Sequence, residues 1–188
     1  MAIVFEPQFP TLDLNDDYHL REHDIKDVDA FYAYYTNPKV AEHILATNPK
    51  SKHEAESEIH YCRNLFRFKR GIYWTIAQRD TDVMVGAIGI TMNTFNHRGE
   101  LHYDLSEAFW NKGLMSAAIG ICARYAFNVM GLIRIEAITV PENLASQRVL
   151  LKNNFTHEGK LRHYKYFKQA PVDIEMFSLI PSDLDGNQ

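Results

Sequence analysis

The run Trp110-Asn-Lys-Gly-Leu-Met-Ser-Ala-Ala118 carries the densest chemical signal in the chain. It sets Gly113 where a strand-like segment hands over to an apolar helix-like one. The first amides of a helix have no partner inside it, and the positive end of the helix dipole reinforces them. A glycine turn at that junction therefore suits an anion, above all a phosphate. Ordinary turn chemistry uses glycine in the same way, and the run by itself does not separate the two readings. Charge elsewhere is uneven. Residues 1–60 hold 12 acids against 5 bases, whereas 148–168 hold 6 bases against Glu158 alone. Such an acidic front and basic back could serve a cationic substrate and an anionic cofactor, or form two solvated faces. The nine histidines show no metal-ligand spacing, and no metal site is expected.

The elements that position this run follow from periodicity and punctuation. Tyr18–His23 alternates as a strand. Asp27 is placed to cap a helix through Tyr35 that ends near Asn37-Pro38. Ser51 opens a longer helix, with Glu54 completing a capping box, and Gly71 stops it after about Arg70. Ile72–Arg79 and Val83–Thr94 read as a hairpin around Asp80-Thr-Asp82, and Glu100–Leu105 as the next strand. Gly113–Met130 is a helix apolar almost all round, hence central and buried. The β-branched Ile133–Val140 follows it directly, which predicts a strand–helix–strand crossover and a parallel pair. Asn143 caps a helix over Leu144–Asn153, and Phe155–Lys165 with Val172–Leu179 close the chain as a hairpin around Gln169-Ala-Pro171. One parallel pair among antiparallel strands invites the sheet to splay, and a ligand belongs in that opening beside a helix N-terminus.

Length and composition describe one ordinary globular domain with a real core: 188 residues, 46% hydrophobic and 23% charged. A net charge of −4 argues against a general nucleic-acid binder. Met1-Ala-Ile-Val-Phe5 lacks the basic start of a secretory signal, and no apolar run nears membrane-spanning length. Cys62 and Cys122 lie apart in helix-like segments and read as reduced, buried small hydrophobes. A soluble, cytoplasmic protein is expected.

With these elements in order, the chain resembles the GNAT-fold acyl-CoA N-acyltransferases, and more narrowly the RimJ/RimL-type enzymes that acetylate ribosomal-protein N-termini. The resemblance spans about residues 10–180. It is carried by Leu105-Ser-Glu-Ala-Phe-Trp-Asn-Lys-Gly-Leu-Met-Ser-Ala-Ala118, by Val140-Pro-Glu-Asn-Leu-Ala-Ser146 with Lys152-Asn-Asn-Phe155, and by His157-Glu-Gly-Lys-Leu-Arg162 together with Asp173. It implies an α+β (mixed α/β) fold: a central, mostly antiparallel sheet with one splayed parallel pair, flanked by helices, in a single domain over 1–188.

The resemblance also implies a division of labour. Trp110, Asn111, Lys112, Gly113, Leu114, Met115 and Ser116 would cradle the pyrophosphate of acetyl-CoA with backbone amides. Met115 replaces a small residue of the family pattern, and Ala117 stands where a Glu often follows. Leu105 would bond the pantetheine arm through its main chain. Asn143 would bond the pantetheine amides, and Arg148 and Lys152, one helical turn apart, the phosphates. The attacking amine must be neutral, so a base is needed. Glu100 is the first choice; His102, on the same strand face, could share the role, and Glu158 is a third candidate. The family's usual Tyr acid falls at Leu150, so Ser146 is the expected donor to the leaving thiolate. Asn154 stands for the Gly of the family's Lys-x-Gly-Phe ending and tolerates left-handed backbone.

The implied reaction is direct acetyl transfer, in a ternary complex, to a primary amine: a protein N-terminus or a similar amine. A polyamine or antibiotic acetyltransferase and a catalytically silent acyl-CoA-binding module are the alternatives. Asp27, Asp29, Glu42, Glu54, Glu56 and Glu58 could draw a cationic acceptor, with Phe31, Tyr32, Tyr34 and Tyr35 lining its pocket and half of them lost to the core. No nucleic-acid or membrane partner is expected, and edge strands would allow a homodimer.

Overall fold

The computed structural model of the chain describes residues 3–42 and 44–184. Its strands are β1 (Leu12–Asp13), β2 (Tyr18–Glu22), β3 (Gly71–Gln78), β4 (Met84–Asn93), β5 (Arg98–Leu105), β6 (Arg134–Thr139), β7 (Thr156–Phe167) and β8 (Ala170–Leu179). They form one sheet in the order β1-β2-β3-β4-β5-β6-β8-β7. The helices are α1 (Val28–Tyr35), α2 (Pro38–Ala41), α3 (Lys52–Arg67), α4 (Leu114–Asn128), α5 (Leu144–Lys152) and α6 (Pro181–Leu184). Every neighbouring pair of strands is antiparallel except β5–β6, which is parallel as expected.

That parallel pairing is short. Arg98, Gly99 and Glu100 face Arg134, Ile135 and Glu136, and there it stops, while β5 runs on to Leu105 against β4. The sheet forks beyond Glu100. The Ile133 amide donates to the His97 carbonyl across the pair (2.8 Å), and the Ser106 amide donates to Val85 on the other side. Because backbone groups alternate along a strand, the odd residues Leu101, Tyr103 and Leu105 turn theirs into the fork. The even residues turn theirs towards β4.

α4 covers one face of the sheet. It buries Leu114, Met115, Ala118, Ile119, Cys122, Ala123, Tyr125, Ala126 and Phe127, and packs with Trp74, Ile88, Ile90, Leu101 and Leu105 into the main core. Its all-round apolarity is answered by sheet on one side and α5 and the N-terminal segment elsewhere. α1 and α3 cover the opposite face, where Phe31, Tyr34, Ala55, Ile59, Met84 and Ala87 form a second, smaller core.

Several boundaries differ from the sequence expectation for local reasons. Asp27 makes no side-chain cap for α1. A 3-10 turn over Ile25–Asp27 precedes that helix, Asp24 accepts from the Lys26 amide, and Asp27 is buried, accepting from Arg21, Thr75 and the Asp24 amide. Ser51 caps α3 through the Glu54 amide, but the Glu54 carboxylate reaches back to the Lys50 amide and not to Ser51. α3 also ends earlier. Lys69 takes the left-handed position (φ 56°), with Lys69 and Arg70 amides returning to Phe66 and Leu65. Gly71 is therefore already in β3, pressed against β4 so closely that a Cβ would lie 2.7 Å from the Ile90 carbonyl. Asn154 does adopt left-handed backbone, at φ 63°.

Candidate acyl-transfer site

The α4 N-terminus is built by two left-handed residues, Asn111 (φ 59°) and Gly113 (φ 75°). Gly113 occupies the cap position without any side-chain cap, and Ala117 is the first amide to find a partner in the helix, at the Gly113 carbonyl (3.0 Å). The amides of Leu114, Met115 and Ser116 are thus free of intrahelical bonds and point out of the helix. Leu114 and Met115 bury their side chains, so they contribute backbone alone, and the bulk of Met115 goes to the core and leaves the loop clear. Ser116 accepts from Asn153, the residue that ends α5, tying the two helices together (3.0 Å). Lys112 lies over the Phe109 ring. Trp110 is half-exposed, and its indole N–H donates to the Leu105 carbonyl (2.8 Å). Leu105, assigned from sequence to the pantetheine arm, therefore has one lone pair already engaged.

At the fork, Tyr103 and Ser146 meet, with their hydroxyl oxygens 2.6 Å apart. Asn143 caps α5 as expected, accepting from the Ser146 amide (3.1 Å) and so fixing the backbone there. Burial pushes the Tyr103 phenol up to about 12, against the opposing influence of the Ser146 bond. Tyr103 was missed in the sequence. Its signal was the strand alternation that puts it on the same face as Leu101 and Leu105.

The even residues of β5 line the other face. Glu100 and His102 share it, 3.9 Å apart. Glu100 is half-buried and its carboxyl is held above the ordinary range, chiefly by burial, opposed by Lys165 and reinforced by Glu136. His102 bonds Thr91 (3.0 Å), stacks with Tyr73, and is pushed down to about 4 by burial and then by Lys165, so it is neutral at physiological pH. Asp104 was also missed. It accepts from Tyr34 (2.6 Å) and Tyr35 (3.2 Å), and burial raises it to about 6 against those two bonds. Glu58, likewise raised by burial, stands on α3 beside this group. Of the aromatic set, Phe31 and Tyr34 are buried, while Tyr32 and Tyr35 stay half-exposed.

Other candidates lie outside this gathering. Glu158 is gripped by Nη1 and Nη2 of Arg134 (2.8 and 2.6 Å) and accepts from Ser178, and these bonds, Arg134 first, hold it down to about 2, a poor value for a base. Arg148 and Lys152 are exposed on α5. Among the proposed acceptor-side acids, Asp27 is consumed by Arg21, Asp29 pairs with Lys52, and Glu56 lies by His60. Among the described residues no helix is long and apolar enough to cross a membrane, and no group of three His, Cys, Asp or Glu could hold a metal ion.

Uncapped amides at α4 beside an unpaired strand edge fit a ligand with a phosphate at one end and amides along its arm. Comparison with known proteins agrees. Residues 18–156 match the acetyltransferase (GNAT) domain family. The uncharacterized N-acetyltransferase YoaA of Bacillus subtilis (strain 168) is 35% identical over 92% of this chain and 97% of its own. The solved RimL ribosomal L7/L12 alpha-N-protein acetyltransferase superposes with a TM-score of 0.80 at 20% identity, over 95% of this chain and 99% of that one. The microcin C7 self-immunity acetyltransferase MccE, solved with acetyl-CoA and AMP, gives 0.77 at 18% identity, over 89% and 94%. Forked sheet, uncapped helix and matched span together place this chain in the GNAT family of N-acetyltransferases.

Proposed function

We propose that the chain moves the acetyl group of acetyl-CoA to the amine at a protein N-terminus, by direct transfer in a ternary complex. The observation that carries this reading is the fork itself. On one face of β5 Tyr103 meets Ser146 of α5 as a donor pair, and on the other face stand the proton acceptors Glu100, His102 and Asp104. Acetyl-CoA supplies the thioester carbonyl. The amides of Leu114, Met115 and Ser116 hold its pyrophosphate, Arg148 and Lys152 add charge to its phosphates, and Asn143 with the odd backbone groups of β5 holds the pantetheine arm. Glu100 takes the proton of the attacking amine, with His102 beside it as a neutral neighbour. Glu158, committed to Arg134, has no part.

The acceptor is drawn to a negative, aromatic surface formed by Glu58, Asp104, Tyr35 and Tyr73. Glu58 is exposed and Asp104, Tyr35 and Tyr73 are partly buried, a surface that a cationic chain end can reach from solvent. RimL, which acts on the N-terminus of a ribosomal protein by its name, shares the fold. The test is acetyl-CoA consumption with N-terminal peptides, polyamines and aminoglycosides offered in parallel. Turnover on peptides is expected; turnover on polyamines or aminoglycosides alone would replace the peptide reading with that of a small-amine enzyme.

A further inference from the structure

Three segments meet at the end of the sheet opposite the α4 N-terminus. Residues 64–70 close α3 and lead into β3, 91–98 turn from β4 into β5, and 128–134 run from α4 into β6. The register sets them side by side: Gly71 pairs with Thr91, Asn93 with Arg98, and Arg98 with Arg134. The Met92 amide donates to the Arg70 carbonyl (2.9 Å) and the Ile133 amide to the His97 carbonyl (2.8 Å), which ties them together. The 15 residues of α4 put this end about 22 Å from the uncapped amides. Its composition departs from the rest of the chain. The three segments hold Arg67, Lys69, Arg70, Arg98 and Arg134 and no acid, although the net charge is −4. Arg98 and Arg134 share Glu136, and Arg134 also grips Glu158. Arg67, Lys69 and Arg70 are exposed and make no ion pair among the described residues. Large apolar side chains stand in water on the same segments: Phe95 is 91% exposed, Phe68 69% and Ile133 60%. Apolar groups left in water beside unpaired cations mark an interaction surface.

We propose that this end of the sheet docks on an anionic lipid surface. Charge selects the occupant. A second copy of the chain would set cations against cations. Single-stranded nucleic acid would match the charge, but Ile133 and the exposed Val129 offer no ring for a base to stack on. Lipid matches both features. Its phosphates pair with Arg67, Lys69 and Arg70, and the boundary between headgroups and acyl chains takes Phe68, Phe95 and Ile133. The sequence expectation of no membrane partner rests on the lack of an apolar run of spanning length, and lying on a bilayer needs none. The α4 amides, at the far end, then face away from the lipid, where acetyl-CoA can reach them.

The test is co-sedimentation of the full chain with vesicles of equimolar phosphatidylglycerol and phosphatidylcholine, and with vesicles of phosphatidylcholine alone. Binding to the anionic vesicles is expected to be roughly tenfold tighter or more, and to weaken as salt is raised. Arg67→Gln, Lys69→Gln and Arg70→Gln together should weaken it roughly a hundredfold, since each cation near such a surface contributes about fivefold. Phe68→Ser with Phe95→Ser should weaken it roughly tenfold or more and leave the salt dependence in place. All five side chains are exposed, so both variants should keep the wild-type Tm and the wild-type acetyl-CoA turnover in vesicle-free buffer. No sedimentation with the anionic vesicles overturns the proposal, and so does equal binding by wild type and both variants. Polyuridylate that binds more tightly than the vesicles at the same salt, and strips the chain from them, would replace lipid with nucleic acid. The vesicle measurements contain no coenzyme A, so failure there leaves the acetyl-transfer reading untouched.

Discussion

Asp104 accepts from two phenols and the Ala87 amide and has no cation paired with it among the described residues, and burial disfavours its ionised form. An incoming ammonium would supply the missing charge. Asp104→Asn keeps an oxygen for Tyr34 and Tyr35 but removes that charge, and a charge-assisted bond is worth about 1.5–3 kcal/mol. Acceptor kcat/KM should fall roughly tenfold or more, with KM for acetyl-CoA unmoved; an unchanged acceptor KM would take Asp104 out of the site. Stability supplies the complementary sign. The folded pKa, about 6, lies above the ordinary carboxylate value, so folding binds a proton between the two. Wild type loses stability as pH rises through that window, and the Asn variant does not. Urea melts at pH 4.5 and 7.5 should show the variant gaining on wild type at the higher pH. Glu100 carries a different expectation. Glu100→Gln should lower kcat at neutral pH and remove an acid limb lying above the usual carboxylate range. Full activity in that variant would pass the base role to another group.

At the scale of elements, two glycines decide how strands and helices present these groups. In β4, Gly89 lies under Tyr73, where an added Cβ would come within 2.2 Å of the ring's Cγ. That carbon moves only when the whole ring turns about χ1, so Gly89→Ala must displace the ring from its stack on His102. A rise in acceptor KM and a lowered Tm are expected together, and a variant with wild-type kinetics would show the Tyr73 wall to be dispensable. Gly113 differs: a Cβ there meets nothing within 4 Å, and the requirement is its φ of 75°. This loop was legible in the sequence because a strand, a glycine and an all-apolar helix follow one another in the chain. The crossover and the parallel pair followed from the same order. What stayed hidden was pairing across the sheet. Neither the arrival of Tyr34 and Tyr35 at Asp104 nor that of Ser146 at Tyr103 leaves any local mark, since the partners lie 69, 70 and 43 residues apart. Asp27 misled for a related reason, because a good capping residue was taken instead by Arg21, six residues before it on β2, and by the distant Thr75.

The whole molecule keeps the charge division seen in its sequence, but unevenly. Much of the acidic front is spent at short range: Asp13 on Arg79, Asp27 on Arg21, Asp29 on Lys52. The basic back is less consumed, and on α5 Arg148 and Lys152 stand exposed one turn apart. Long side chains in water hold a phosphate weakly, each worth up to about 1 kcal/mol. Two of them acting on one ligand would then amount to about thirtyfold at most. Their attraction is also screened, because the Debye length shrinks from about 10 Å at 0.1 M salt to about 3 Å at 1 M. The amides of α4 are different in kind, since they act at contact distance and are fixed by the fold. A double Arg148→Ala, Lys152→Ala variant should therefore raise KM for acetyl-CoA several-fold at low salt and leave kcat alone. The gap to wild type should close as salt is raised, because wild type loses what the variant already lacks. A KM within twofold of wild type at low salt would remove both cations from the cofactor site and leave phosphate recognition to the helix N-terminus.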